Sequence, residues 1–366
     1  MYIKRIVLNH FRNYDHLDIE LDKNQIYIIG ENGIGKTNIL ESIYYLTIGR
    51  SFRKADDKNL IQKGFQECSI YIEFYSESDD DIHHLSCVIN QISKVFAYDD
   101  VKVKSLSQIL GKLIAIYYIP TLVYFFQDEP EGRRRLLDET CAQLSPKYLF
   151  AISRYKKLLK ERNAAMQQNY DQDVIDAYRN ELVNISYRIV KDRKDLVKQL
   201  SLLSNEYYHK LFDNEDDFNL TYKTNCPLDD DQEAYIKNML NLFNRNQSLE
   251  NIKKVTLIGP HRDDLIGVLN NAEIARSGSQ GENRIGSLSL KIAIFDLISK
   301  TLNVKPLLLL DDVTSDLDEK RCNNLLNTIN NKTDQIFITG AKKPKQILNY
   351  KIYTCDGISL KEGEIQ

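Results

Sequence analysis

Gly30-Glu31-Asn32-Gly33-Ile34-Gly35-Lys36-Thr37 is the stretch whose reading decides the fold. It fits G-x-x-x-x-G-K-[ST], and its flanks suit that pattern. The apolar run Gln25–Ile29 predicts a buried strand, and Asn38–Leu46 predicts the start of a helix. Between them, glycines let successive backbone N–H groups turn inward around phosphates at a helix N-terminus, where the dipole favours anions. Lys36 is placed to reach the β- and γ-phosphates, and the Thr37 hydroxyl to hold Mg²⁺. A chance glycine-rich turn would lack the strand before and the helix after. The chain therefore reads as α/β with a nucleoside triphosphate site.

Two later stretches extend that site. Leu307-Leu308-Leu309-Leu310-Asp311-Asp312 is an apolar strand ending in two carboxylates. A strand beside the phosphate strand presents such acids to the metal, Asp311 directly or through water, while Asp312 orients or deprotonates the attacking water. Standing alone, the run would fit a buried strand with a capping acid; downstream of Gly30–Thr37 the metal reading is favoured. Thr314 to Asp318 follow it, and Gln335–Thr339 predicts a further core strand. Ser277-Gly278-Ser279-Gln280-Gly281-Glu282 is a small polar loop opening a helix over Asn283–Ile298. It offers hydroxyls, N–H groups and a positive dipole end to an anion. A second anion device points to a composite site, most economically two copies arranged head to tail with ATP between them.

Composition sets the bounds. At 366 residues, with 42% hydrophobic and 28% charged, the chain can hold two or three domains around a sizeable core. No apolar run reaches membrane-spanning length; Leu113–Phe126 is broken by Pro120 and suits buried strands. The start, Met1 to Val7, alternates like a strand and lacks a signal-peptide core. Six scattered cysteines without a C-x-x-C pair fit free thiols in a reducing cytoplasm. The net charge of −3 gives no sign of nucleic acid, so any DNA-binding face needs its basic residues segregated.

Elsewhere the pattern changes along the chain. Ile3–Leu8 and Leu17–Leu21 predict strands, with Arg12 in the polar loop between them placed near phosphate. Gly49-Arg50-Ser51-Phe52-Arg53 is a basic loop after the first helix, and Cys68–Phe74, Leu85–Ile89 and Ile92–Tyr98 alternate as antiparallel strands. Asp79-Asp80-Asp81 reads as a solvated turn, and His83-His84 lacks convincing metal-ligand company. From Leu106 the period becomes helical. Ser145-Pro146 is a helix start, and apolar residues from Tyr148 to Leu159 and from Ile175 to Leu211 form the seam of a helical hairpin. Its first helix is basic, with Lys147, Arg154, Lys156, Lys157, Lys160 and Arg162 against Glu161, and Arg133-Arg134-Arg135 upstream. That face is either solvated or a phosphate-backbone footprint. Beyond an acidic stretch, a helix to Leu249 and strands at Val255–Ile258 and Leu265–Leu269 are predicted.

Taken in order, these motifs resemble the ABC-type ATPase heads of the SMC, Rad50 and RecF group. Asn9 to Tyr14, Arg133 to Asp138, Gly259-Pro260-His261-Arg262-Asp263-Asp264, Gly278 to Gly281 and Asp316-Leu317-Asp318 resemble the RecF family in particular. The resemblance implies an ABC-type P-loop head with a mixed sheet, carrying an inserted α-helical lid with a short antiparallel hairpin. It divides the chain into a first ATPase part (1–105), the lid (106–215) and a second ATPase part (216–366). It implies binding of ATP and Mg²⁺ by residues 30–37, Arg12, Ser279, Gln280, Gly281, Asp311 and Asp318. Lys36 and Asp312 would drive a weak DNA-dependent ATPase used as a switch. It further implies an ATP-dependent homodimer on double-stranded DNA or a single-strand/double-strand junction. Its setting would be recombination, replication and the SOS response, with RecR, RecO and RecA. Glu282, where such chains carry Gln, puts an acid beside the implied γ-phosphate position. A transporter ATPase is the alternative, but its signature loop does not lie about 240 residues beyond its phosphate loop. An SMC-like tether needs a longer arm than Ile175–Leu211, which spans about 55 Å as a helix.

Overall fold

The computed structural model describes residues 1–53, 55–212, 215–229, 231–313, 317–330, 332–342 and 350–363. From the N-terminus, β1 (Tyr2–Phe11), β2 (Tyr14–Glu20) and β3 (Gln25–Ile29) lead into α1 (Lys36–Ile48). Then come β4 (Glu67–Ser76), β5 (Asp81–Asn90), β6 (Lys94–Tyr98), β7 (Val101–Lys102) and β8 (Ala115–Tyr118). Helices α2 (Pro130–Leu144), α3 (Pro146–Gln167) and α4 (Gln172–Phe212) precede β9 (Phe218–Lys223) and α5 (Gln232–Lys253). Next are β10 (Asp264–Leu269), β11 (Ala272–Glu273), α6 (Ile274–Ser277) and α7 (Gln280–Leu302). The chain closes with β12 (Leu307–Leu310), α8 (Glu319–Ile329), β13 (Ile336–Gly340), β14 (Tyr350–Cys355) and β15 (Leu360–Glu362).

Contacts divide the chain into two compact units, Met1–Leu122 with Lys210–Asn214 and Lys291–Gln366, and Val123–His209 with Glu215–Leu290. The first holds two six-stranded sheets. One is antiparallel, ordered β2-β1-β4-β5-β6-β7; the other runs β15-β14-β3-β13-β12-β8, parallel except for β15. Strands such as Leu307–Leu310 are buried along their whole length, as parallel strands covered on both faces require. α1 packs against β4 and β5 of one sheet and β8 and β13 of the other. That double contact is why Ile39, Leu40, Ile43, Tyr44, Tyr45 and Leu46 are all buried, with no polar stripe.

The second unit combines α2–α5 with the three-stranded sheet β11-β10-β9. The expected hairpin is α3 and α4, and the 41 residues of α4 form one continuous helix. Two sequence readings differ from this structure. β8 belongs to the parallel sheet, paired Leu308↔Ile116, so it is not part of the lid expected over 106–215. Val255–Ile258 is not a strand, because its N–H groups bond to side chains instead. Thr256 N–H donates to Asn163 Oδ1 at 2.8 Å and Leu257 N–H to Glu250 Oε1 at 2.7 Å. A segment already satisfied in this way has no call for a ladder.

Candidate nucleotide site

β3 ends at Ile29 and α1 begins at Lys36, so residues 30–35 are a tight loop at the carboxyl end of the parallel strands. That edge is where open α/β sheets hold ligands. The loop needs its glycines. Gly35 caps α1 at φ +121°, and a Cβ there would lie 2.5 Å from the Asn13 side chain; at Gly30 it would lie 2.7 Å from the Cys355 carbonyl. Lys36 Nζ donates to the carbonyls of Gly30 and Glu31 at 2.7 and 2.8 Å, folding back over the loop. Glu31, Asn32 and Gly33 are exposed.

Asp311 sits across from this loop, and two hydroxyls converge on its Oδ1. Thr37 Oγ1 donates to it at 2.7 Å, and Thr339 Oγ1 also at 2.7 Å. Thr339 Oγ1 and its carbonyl each accept the Asp312 N–H at 3.1 Å, in a turn where Asp312 has φ +46°. Burial pushes the Asp311 carboxyl above its ordinary range, while the hydroxyls of Thr339 and Thr37, and Arg53, pull it back. A hydroxyl and a carboxylate oxygen side by side form a hard donor set suited to Mg²⁺. The expectation that the acid strand directly neighbours the phosphate strand is corrected: β13 lies between β3 and β12. Its last residues bring Thr339 into the site, a contribution that residue spacing alone does not expose.

A second set of polar side chains braces the flank. Arg12 makes a bidentate pair with fully buried Glu41 of α1, at 2.9 and 2.7 Å, and donates to the Asn59 carbonyl at 2.9 Å. Ser51 also donates to Glu41. Arg53 Nη1 reaches Asn38 Oδ1 at 2.7 Å, and Asn38 Nδ2 donates to Asn13 Oδ1 at 2.6 Å. Asn13 Nδ2 then ties down Ile34 O at 2.9 Å and Gly357 O at 3.0 Å. Arg12 thus lies beside the loop, with its guanidinium engaged by Glu41. Asn13 was missed, and no signal in the sequence links it to Gly357 across most of the chain.

In the other unit, Ser279 and Glu282 form a capping box at α7. Ser279 N–H donates to Glu282 Oε2 at 2.6 Å and Glu282 N–H to Ser279 Oγ at 3.2 Å. Buried Asn283 holds the loop through Nδ2 bonds to the carbonyls of Ile274, Gly278 and Ser279, at 3.1, 3.1 and 3.0 Å. Ser279 and Gln280 are exposed and Gly281 is half-buried. Asp318 caps α8, accepting the Arg321 N–H at 2.8 Å; Thr314, Ser315 and Asp316 lie outside the described residues.

The basic face of α3 is smaller than its sequence promised. Lys147, Arg154, Lys156, Lys157 and Lys160 are exposed, but Arg154 meets Glu181 at 2.5 Å, Lys156 meets Asp138 at 2.8 Å and Lys157 meets Glu161 at 3.8 Å. Arg162 is buried against Glu250 at 2.7 Å and Arg133 against Asp264 at 2.7 Å, so neither belongs to a surface footprint. Their partners lie more than a hundred or some ninety positions downstream, beyond the reach of a helical-face argument.

Comparison with known proteins fits this geometry. The family described as RecF/RecN/SMC N terminal domain matches residues 2–115. A DNA replication and repair protein RecF of Clostridium tetani is 34% identical over 357 residues, 95% of each chain. One from Halalkalibacterium halodurans is 31% identical, covering 93% of this chain and 92% of its own. A solved structure of the recombination mediator protein RecF with ATP superposes at a TM-score of 0.91, with 24% identity, over 99% of this chain and 97% of that one. An Smc head bound to the C-winged helix domain of ScpA gives 0.58 at 16% identity, over 100% and 98%. The fold is that of an ABC-type ATPase head with an inserted helical subdomain, and the chain belongs to the RecF family.

Proposed function

We propose that this chain is an ATP-dependent DNA-binding protein of recombinational repair and replication-fork maintenance. The convergence of Thr37 and Thr339 on Asp311, directly beyond the Gly30–Thr37 loop, carries the reading. Residues 30–37 wrap the phosphates, Lys36 leaves the loop carbonyls for the β- and γ-phosphates, and Thr37 with Asp311 holds Mg²⁺. The ion supplies charge neutralisation along the phosphates when bound. Asp312, fixed through its N–H by Thr339, orients the attacking water. Arg12 and Arg53 add positive charge at the flank.

Ser279, Gln280 and Gly281 of one copy cover the triphosphate of a second copy, and Asp318 lines that interface. ATP then closes a homodimer on DNA, and slow hydrolysis reopens it. The helical lid between the two ATPase parts carries the DNA contacts, with Lys147, Arg154, Lys156, Lys157 and Lys160 on its outer face. Such a clamp, acting in the cytoplasm with RecR and RecO, serves RecA loading at single-strand gaps. The RecFOR pathway named for the ATP-bound RecF structure supports that assignment of partners.

Sedimentation with ATP and Mg²⁺, run beside duplex binding, tests the clamp. Lys36→Ala is expected to lose nucleotide binding altogether. Asp312→Asn is expected to bind ATP, dimerise and stall. An Asp312→Asn protein that stays monomeric at high concentration while binding ATP removes the clamp reading.

A further inference from the structure

Three consecutive arginines in α2 meet different fates. Arg133 is buried, held bidentately by Asp264 at 2.7 and 2.9 Å. Arg135 lies 3.7 Å from Glu139. Arg134, half-buried, donates from Nη1 to the Asp263 carbonyl at 2.9 Å and meets no carboxylate among the described residues. Arg262, the residue before Asp263, is exposed; its Nη2 donates to the Thr256 carbonyl at 3.2 Å, again with no carboxylate partner.

The acids near this pair are engaged elsewhere. Asp264 belongs to Arg133. Asp263 accepts from Tyr222, and burial pushes its carboxyl up, away from the charged form. Asp138 is taken by Arg193 at 2.7 Å and Lys156 at 2.8 Å. Glu131, exposed one turn earlier on α2, makes no ion pair with Arg134. Burial, then the like charge of Arg193, depress the Arg134 guanidinium below its ordinary value; Asp264 and Glu131 offset part of this without touching it, and Arg262 adds a further like charge. A guanidinium does not shed its proton in a protein, so Arg134 stays charged with no carboxylate in direct contact. Meanwhile the carbonyl bonds set both forks in place without neutralising them.

We propose that Arg134 and Arg262 form a two-guanidinium clamp for a phosphate of the DNA backbone. Planar forks already anchored lose little side-chain entropy on binding and meet phosphate oxygens bidentately. A free triphosphate needs a closed cradle such as Gly30–Thr37, whereas a phosphodiester on a passing strand is reached from one side. The clamp uses the Arg133–Arg135 run and the Gly259–Asp264 turn, which the nucleotide site leaves without a role, and it rests on the reading that the chain binds DNA.

Fluorescence anisotropy of labelled duplex, across a salt series with ATP and Mg²⁺, tests it on the full-length protein. Arg262→Gln, at an exposed position, is expected to weaken binding alike on unrelated sequences and to reduce the slope of log K against log salt by about 1. Arg134→Gln with Arg262→Gln should weaken binding further, while the slope falls by no more than about 1 in total, because a single phosphate contact is lost. Binding of a fluorescent ATP analogue should stay at the wild-type level in both. Wild-type duplex affinity and slope in Arg262→Gln would overturn the clamp. Loss of ATP-analogue binding with duplex binding intact would overturn its assignment to DNA. A wild-type protein that binds no duplex would remove the DNA reading itself, an outcome distinct from either.

Discussion

At the scale of single residues, one oxygen organises the candidate site. Asp311 Oδ1 takes hydroxyls from the phosphate loop and from β13, so Thr37 and Thr339 answer to the same acceptor. Thr339→Val removes one of those donors and also one of two acceptors for the Asp312 N–H. Partners behind a metal ligand typically affect metal affinity about 10–100-fold. We therefore expect the Mg²⁺ concentration for half-maximal ATP turnover to rise by about that factor in Thr339→Val, read from a Mg²⁺ titration. An unchanged Mg²⁺ requirement would show that Thr339 only packs. Glu282 teaches a related lesson. Read from the sequence it is a stray negative charge; in the structure its carboxylate satisfies the Ser279 N–H at the head of α7.

At the scale of elements, the helical unit is held by buried charge as well as by apolar packing. Val183, Tyr235, Met239 and Phe243 pack across the α4–α5 contact. Beside them Arg162 and Glu250, both almost fully buried, pair at 2.7 Å, with Thr256 on the second Arg162 nitrogen. Removing one member leaves a buried charge alone, typically a loss of about 3–5 kcal/mol, whereas replacing both by apolar residues can be neutral. Arg162→Met should fall in that range by urea unfolding, and Arg162→Met with Glu250→Leu should recover most of it. In the antiparallel sheet, His83 sits between Asp99 at 2.7 Å and Asp79 at 2.8 Å. Although partial burial opposes the charged form, the bonds to Asp99 and Asp79 raise its pKa above 6.5. A raised folded-state pKa contributes stability that is fully present below about 6.5 and is lost as pH climbs through the folded value. Thermal melts of His83→Gln against wild type should therefore separate at pH 5 to 6, below about 6.5 for the free imidazole, and converge once the pH has passed the raised folded-state value. Equal gaps at both ends would exclude the ion pairs as the cause.

At the scale of the whole molecule, the proposed composite site makes assembly depend on nucleotide. Ser279 is exposed at the head of α7, so Ser279→Arg is expected to leave the monomer folded and able to bind ATP while abolishing ATP-dependent dimerisation. Light scattering with and without ATP reads this. A dimer that still forms on ATP would move the interface elsewhere. The six cysteines are free and buried, and among the described residues no helix is long and apolar enough to cross a membrane.

Local signals carried much of this. The run Gln25–Ile29, the loop to Thr37 and the helix after it form one contiguous supersecondary unit, so their spacing alone defines strand, loop and helix. Leu307–Asp312 and Ser277–Glu282 are legible for the same reason, since each motif completes its chemistry within a few residues. What the tertiary structure decided are pairings between distant positions. β13 inserts between β3 and β12, Arg12 turns to Glu41, Asn13 spans to Gly357, and Arg133 and Arg162 leave the surface for Asp264 and Glu250. A sequence periodicity reports which face a residue occupies on its own element. It does not report which acid waits opposite, because that depends on how separate segments pack.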